Sequence, residues 1–286
     1  MNHYQSKLLL LIISFWISSI SYSDVTGESL DKILILSGLT KQVEQFPGLV
    51  KAGMAQARQQ DQGTSIPDSE YKLILSSVDK TIASTEIVEK IRIALMQSLN
   101  ETDAQQLLSW YESDLGKEIT KAEESASTPE EFQKMMAASG SLMENTDRVE
   151  FAKRLDKLLG ATDMTLDFQL YSNLAVYSAI MTAMQPDTAL DIEPFKAQMA
   201  ALKEQMRTTA EKMVIISYVY SYRDIGVEKL KKYEAFLNAP VTMKFNKIIK
   251  DSMKQGLELS ITNWAASMAQ IVKLKEKNGS QNKVQQ

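Results

Sequence analysis

Asn100–Ile119 reads NETDAQQLLSWYESDLGKEI, and the spacing of its apolar residues decides the fold class. Ala104, Leu107, Leu108, Tyr111 and Leu115 recur at i, i+3, i+4, i+7 and i+11, which is one face of an α-helix and not the alternation of a strand. Asn100 stands where a helix is capped, its side-chain oxygen free to accept an N–H from the first turn. The first helix ends at the aromatic pair Trp110–Tyr111. Ser113 then opens a second one, with Asp114 suited to the partly positive N-terminus and Gly116 permitting a close approach.

The same signals extend outward. Ile87, Ile91, Ala94 and Leu95 keep the helical stride one segment earlier. Downstream, Thr128 precedes Pro129, Glu130 and Glu131, a cap followed by proline at the first helical position and acids in the first turn. Gly140 and Gly160 read as helix stops. Val214–Tyr222 (VIISYVYSY) is rich in β-branched and aromatic residues and locally favours a strand. A lone strand has no partner in this chain, so the segment is read as helix. The fold class is all-α, a multi-helix bundle with no sheet. A long stripe from Phe245 through Ile249, Leu257, Ile261, Trp264 and Met268 predicts one helix over about 241–274, bent at Gly256. It is expected to lie across the first half of the chain.

Two tandem repeats are expected. LDKIL at 30–34 returns as LDKLL at 155–159, and Trp110–Ile119 (WYESDLGKEI) aligns with Phe236–Phe245 (FLNAPVTMKF) at an offset of 126. The expected organisation is a leader over 1–23, repeats over 24–145 and 146–274, and a polar, disordered tail over 275–286.

The motif resembles a bacterial exported family known as domain of unknown function 2059, whose signature is an aromatic pair, a serine-proline-x-glycine turn and a lysine-bearing helix. Trp110, Tyr111, Ser113 and Gly116 match it, with Asp114 in place of the proline. In the second copy Phe236 and Pro240 match, while Ala239 and Thr242 replace the serine and the glycine. The resemblance implies an all-helical periplasmic protein and brings no activity, cofactor or catalytic residue. The motif residues are read as a structural corner. The rival reading, an anion site at the helix start, is opposed by the negative charge of Asp114.

The N-terminus has the order of an export signal. Lys7 precedes the apolar run Leu8–Ile17, and small residues follow at Ser21 and Ser23, so cleavage is expected after Ser23 with a periplasmic or secreted product. The run is half the length that a membrane-spanning helix needs. Loss of Lys7 shifts the net charge from −4 to −5, no footprint for nucleic acid.

The residues that are missing exclude whole classes of chemistry. The chain has no cysteine, and its one histidine, His3, leaves with the leader. Nucleophilic triads that need imidazole, and zinc, copper or haem held by His or Cys, therefore lack their ligands. No cofactor and no metal site is expected. Ser29–Lys32 and Ser77–Lys80 carry a Ser-x-x-Lys spacing, read as solvated helix surface because the companion motifs of that chemistry are absent. Glu112, Asp114, Glu123 and Glu124 are acids near the motif, read as surface charge.

Tyr218, Tyr220, Tyr222 and Trp264 form the candidate binding surface for an unknown protein or an apolar ligand, since tyrosine offers an apolar body with a polar tip. The function read from sequence is a binding or structural module of the cell envelope. Its alternatives are a carboxylate-only hydrolase of envelope polysaccharide and a carrier of lipid-like molecules.

Overall fold

A computed structural model describes residues 24–60, 68–184 and 191–284. Residues 1–23, expected from the sequence to be a leader, lie outside the described residues. Among them the chain is all-α, thirteen helices with no sheet and a single bridge between Asp24 and Asn100. The first half holds α1 (Gly27–Leu36), α2 (Leu39–Glu44), α3 (Phe46–Gln60), α4 (Asp68–Thr81), α5 (Ser84–Ser98), α6 (Glu101–Tyr111), α7 (Asp114–Ala126) and α8 (Pro129–Glu144). The second holds α9 (Thr146–Leu159), α10 (Ala161–Met184), α11 (Glu193–Ser221), α12 (Val227–Leu237) and α13 (Pro240–Val284). No described helix is long and apolar enough to cross a membrane.

Local chemistry sets the boundaries. Asn100 and Asp103 form a reciprocal capping box at the start of α6. Thr128 caps α8, its oxygen accepting the Glu131 N–H at 3.3 Å. Gly160 ends α9 in the left-handed region at φ 67°, where a Cβ is strained and glycine is not. Gly140 is not a stop. It sits inside α8, because one glycine in a helix interior costs only about 1 kcal/mol. Val214–Tyr222 is helical up to the C-cap of α11, tertiary packing overriding local strand preference.

The turns after Trp110 and after Phe236 have the same backbone bonds. The Ser113 N–H donates to the Trp110 carbonyl (3.0 Å) and the Lys117 N–H to the Ser113 carbonyl (3.0 Å). At positions 126 later, the Ala239 N–H donates to Phe236 (3.1 Å) and the Met243 N–H to Ala239 (2.9 Å). Helices α6 and α12 are both 11 residues long.

Each turn sends the following helix into the core of the other half. Ile119 on α7 is buried with Phe151, Leu155, Tyr222, Leu230 and Leu237 of the second half. Phe245, Met253 and Leu257 on α13 are buried with Leu30, Ile33, Ile91 and Leu107 of the first. Ile119 and Phe245 are 2% and 1% exposed, so the exchange seals both cores and the halves cannot separate without opening them.

Helix α13 starts at Pro240, whose missing N–H costs nothing in a first turn. It runs on through Lys275–Val284, the stretch expected from sequence to be a disordered tail. Gly256 lies where α13 passes α5: an added Cβ would stand 3.2 Å from Ile87 Cγ2.

Candidate functional site

The corner of the motif is built as a rigid hinge. The Ser113 hydroxyl donates to the Trp110 carbonyl at 2.6 Å and accepts the Gly116 N–H at 3.0 Å. A Cβ at Gly116 would fall 2.0 Å from the Trp110 carbonyl oxygen, so only glycine fits. The two aromatics that close these turns meet each other. Trp110 stacks on Phe236 with ring centroids 4.3 Å apart, and on Tyr233 at 5.8 Å. Tyr111 meets Phe236 edge-on at 5.7 Å. Pro240 takes no part beyond starting α13.

Behind these rings lies a cavity of about 360 Å³. Its walls include Trp110, Tyr111, Tyr218, Tyr222, Tyr233 and Phe236. It therefore gathers the motif aromatics with two of the three tyrosines of the candidate binding surface. Tyr220 points elsewhere. It is buried against Met135 and Ile216, its hydroxyl donating to Glu131 at 2.6 Å while Arg223 covers its ring. Trp264 is also absent from the cavity. It is fully buried among Val50, Met54, Val78 and Ile82, donating its indole N–H to the Ser77 hydroxyl at 2.6 Å. The tryptophan is a core anchor across the halves, not an open surface.

Glu123 departs from its sequence reading. It is half-buried and turned toward the tyrosines of the second half rather than standing free on the helix surface. Its carboxylate lines the cavity and accepts the hydroxyls of Tyr222 at 2.5 Å and Tyr233 at 2.9 Å on one oxygen. Burial raises its carboxyl above the ordinary range, against the two tyrosine hydrogen bonds that favour the anion. The Tyr111 and Tyr218 hydroxyls are pushed up by burial too. The other acids do behave as surface charge: Glu112 pairs with Lys32, and Glu124 with Lys41 at 2.9 Å. Among the described residues the cavity is lined by one carboxylate, so they do not assemble there the pair that glycoside cleavage requires.

Neither Ser-x-x-Lys pair forms a dyad. Ser29 is buried and donates to Glu101 at 2.7 Å, and Ser77 is buried under Trp264. Neither serine is solvated. Both face the core because the apolar stripes beside them wrap further round the helix than the spacing indicates.

A second concavity, a groove of about 950 Å³, runs between α10, the first part of α11 and α13. Leu166, Leu170, Leu174, Met199 and Met206 lie half-buried along it. Nothing in the sequence marks it beyond the methionines. Its rim is charged. Asp163 pairs with Arg207 at 2.8 Å and Asp167 with Lys254 at 3.2 Å. Lys203 and Lys250 line it with no ion pair among the described residues. Met164 lines both the groove and the aromatic cavity.

Neither the curated proteins nor the solved structures contain a match to this chain. Residues 86–149, which span α5 to the start of α9 and include Trp110–Ile119, match the model of a family described as uncharacterized protein conserved in bacteria, DUF2059.

Proposed function

We propose that this protein is an exported binding module of the cell envelope that carries an amphipathic molecule, hydrocarbon chain and anionic head, in the α10–α11–α13 groove. One observation carries the reading: five half-buried apolar side chains from two helices converge on a groove of about 950 Å³, a volume typical of small-molecule sites. Apolar surface left in a concavity costs free energy that a hydrocarbon chain recovers. Lys203 and Lys250, which line the groove with no ion pair among the described residues, suit an anionic head. The order of Lys7, the apolar run and Ser23 supports export to the periplasm. The offset of 126 between the motif copies, repeated in the helix starts at Asp114 and Pro240, supports an origin by duplication.

The test is to produce the full chain with its leader in a bacterium, purify it without detergent, and extract bound molecules for mass spectrometry. About one hydrocarbon-bearing anion per chain is expected, with a strong loss in Leu170→Lys. Protein that yields no such molecule from the wild-type chain overturns the reading. N-terminal sequencing should begin at Asp24.

A further inference from the structure

We propose that the cavity behind the motif is a second, separate binding site, and that it takes a small organic cation held by the aromatic rings with Glu123 as its counter-charge.

The lining of the cavity decides what it can hold. Its volume of about 360 Å³ suits a molecule of a few heavy atoms to a small amine. Trp110, Tyr218 and Phe236 present rings there, and aromatic faces attract cations, tryptophan most strongly. Among the described residues no lysine or arginine lines the cavity. Lys41 lies nearby on α2, but it is paired with Glu124.

Glu123 thus has no ion pair among the described residues. One carboxylate oxygen takes both tyrosine hydrogen bonds, which leaves the other to be matched. Glu123 is half-buried, and among the described residues of the lining no basic side chain compensates its charge. The hydroxyls of Tyr111 and Tyr218, half-buried residues of the lining, make no hydrogen bond among the described residues and are open to a ligand or to solvent. An anion would meet Glu123 with no cation to hold it. A hydrocarbon would leave the free carboxylate oxygen and both phenols unsatisfied. A primary or quaternary ammonium answers the charge and the rings together, and a hydroxyl on it answers the phenols.

The site also explains why the corner is so rigid. Trp110 contributes a wall of the cavity, while its carbonyl is fixed by Ser113 and by the close packing of Gly116. The ring is therefore positioned before any ligand arrives, which lowers the ordering cost of binding.

The experiment is calorimetric titration of the full mature chain with choline, tetramethylammonium and n-butylammonium. The control is 3,3-dimethylbutan-1-ol, which has the shape of choline and no charge. At least one cation is expected to bind saturably in the millimolar range or tighter, and the alcohol at least tenfold more weakly. Glu123→Gln, nearly isosteric, is expected to weaken the cation at least tenfold with its circular dichroism spectrum unchanged. Trp110→Phe, which keeps a ring, is expected to weaken it less than Glu123→Gln does. Absence of binding by all three cations overturns the proposal. So does equal binding of the uncharged alcohol, or unchanged cation affinity in Glu123→Gln. If Glu123→Gln misfolds, the choline-to-alcohol ratio on the wild-type chain decides alone.

Discussion

Trp110 and Phe236 lie face to face with their ring planes within 6° and their centroids 4.3 Å apart. They are 126 residues apart in sequence and occupy the same place in their turns, each ring ending a helix whose carbonyl accepts the N–H three residues on. Their contact is where the two halves of the chain lock together, since α7 and α13 leave from these turns into opposite cores. In a double-mutant cycle of Trp110→Ala and Phe236→Ala, a coupling of about 0.5–1.5 kcal/mol is expected from the stacked pair. Urea unfolding of the four proteins measures it.

The corner itself sets the next expectation. Gly116→Ala should destabilise the protein, because the added Cβ would meet a backbone oxygen at 2.0 Å and backbone yields poorly. Ser113→Ala should cost about 0.5–2 kcal/mol through loss of the cap. Thermal melts of both variants, with Gly116→Ala the lower, check the order.

Trp264 offers a test of how the halves are joined. Trp264→Ala should cost about 3–5 kcal/mol, as large aromatic truncations in a closed core do. Ser77→Ala should cost about 1–3 kcal/mol by leaving the buried indole N–H without its acceptor. Denaturant midpoints at constant m-value give both numbers. An unchanged midpoint in Trp264→Ala contradicts the packing of α13 on α4.

Much of this arrangement is legible in the sequence, and what is not has a physical cause. The caps at Asn100, Ser113 and Thr128 lie within four residues of the groups they satisfy, so a linear reading finds them. The burial of Trp264 follows from the length of its apolar stripe, but its partner Ser77 is 187 residues away and no local pattern names it. Glu123 is the instructive miss. Set among the polar neighbours Lys121, Glu124 and Ser125, it reads as surface charge. Yet it lies four residues after Ile119, hence on the same helix face, and Ile119 is buried. Its tyrosine partners are 99 and 110 residues distant. The tyrosines at 218, 220 and 222 group together by proximity in sequence, whereas the helical turn sends Tyr220 to α8 and the other two to the cavity.

Glu123 also sets a dependence of stability on pH. Its carboxyl is raised by burial above the ordinary value of 4.5, so the folded chain holds this proton to higher pH than the unfolded one does. Stability from this group is therefore greatest in acid and falls as pH rises from the ordinary value through the raised one. The groups that face it are Glu124, Tyr222 and Tyr233, with Tyr111 and Tyr218 beyond. Lys41 is engaged by Glu124. Glu123→Gln keeps an oxygen for the two tyrosines and has no such proton to lose. Urea unfolding from about pH 4 to about pH 8 should show a smaller decline in the variant than in the wild type. Parallel curves contradict the assignment.

The carrier reading stands or falls on the groove, and a fluorescent amphiphile tests it directly. The probe is 11-(dansylamino)undecanoic acid, a hydrocarbon chain with an anionic head, titrated into the delipidated mature chain. Saturable, blue-shifted emission at one probe per chain is expected, with affinity reduced at least tenfold in Leu170→Lys and in Met199→Lys and unchanged in Glu123→Gln. Emission that fails to saturate, or that is the same in the two groove variants as in the wild type, contradicts an amphiphile-carrying groove between α10, α11 and α13.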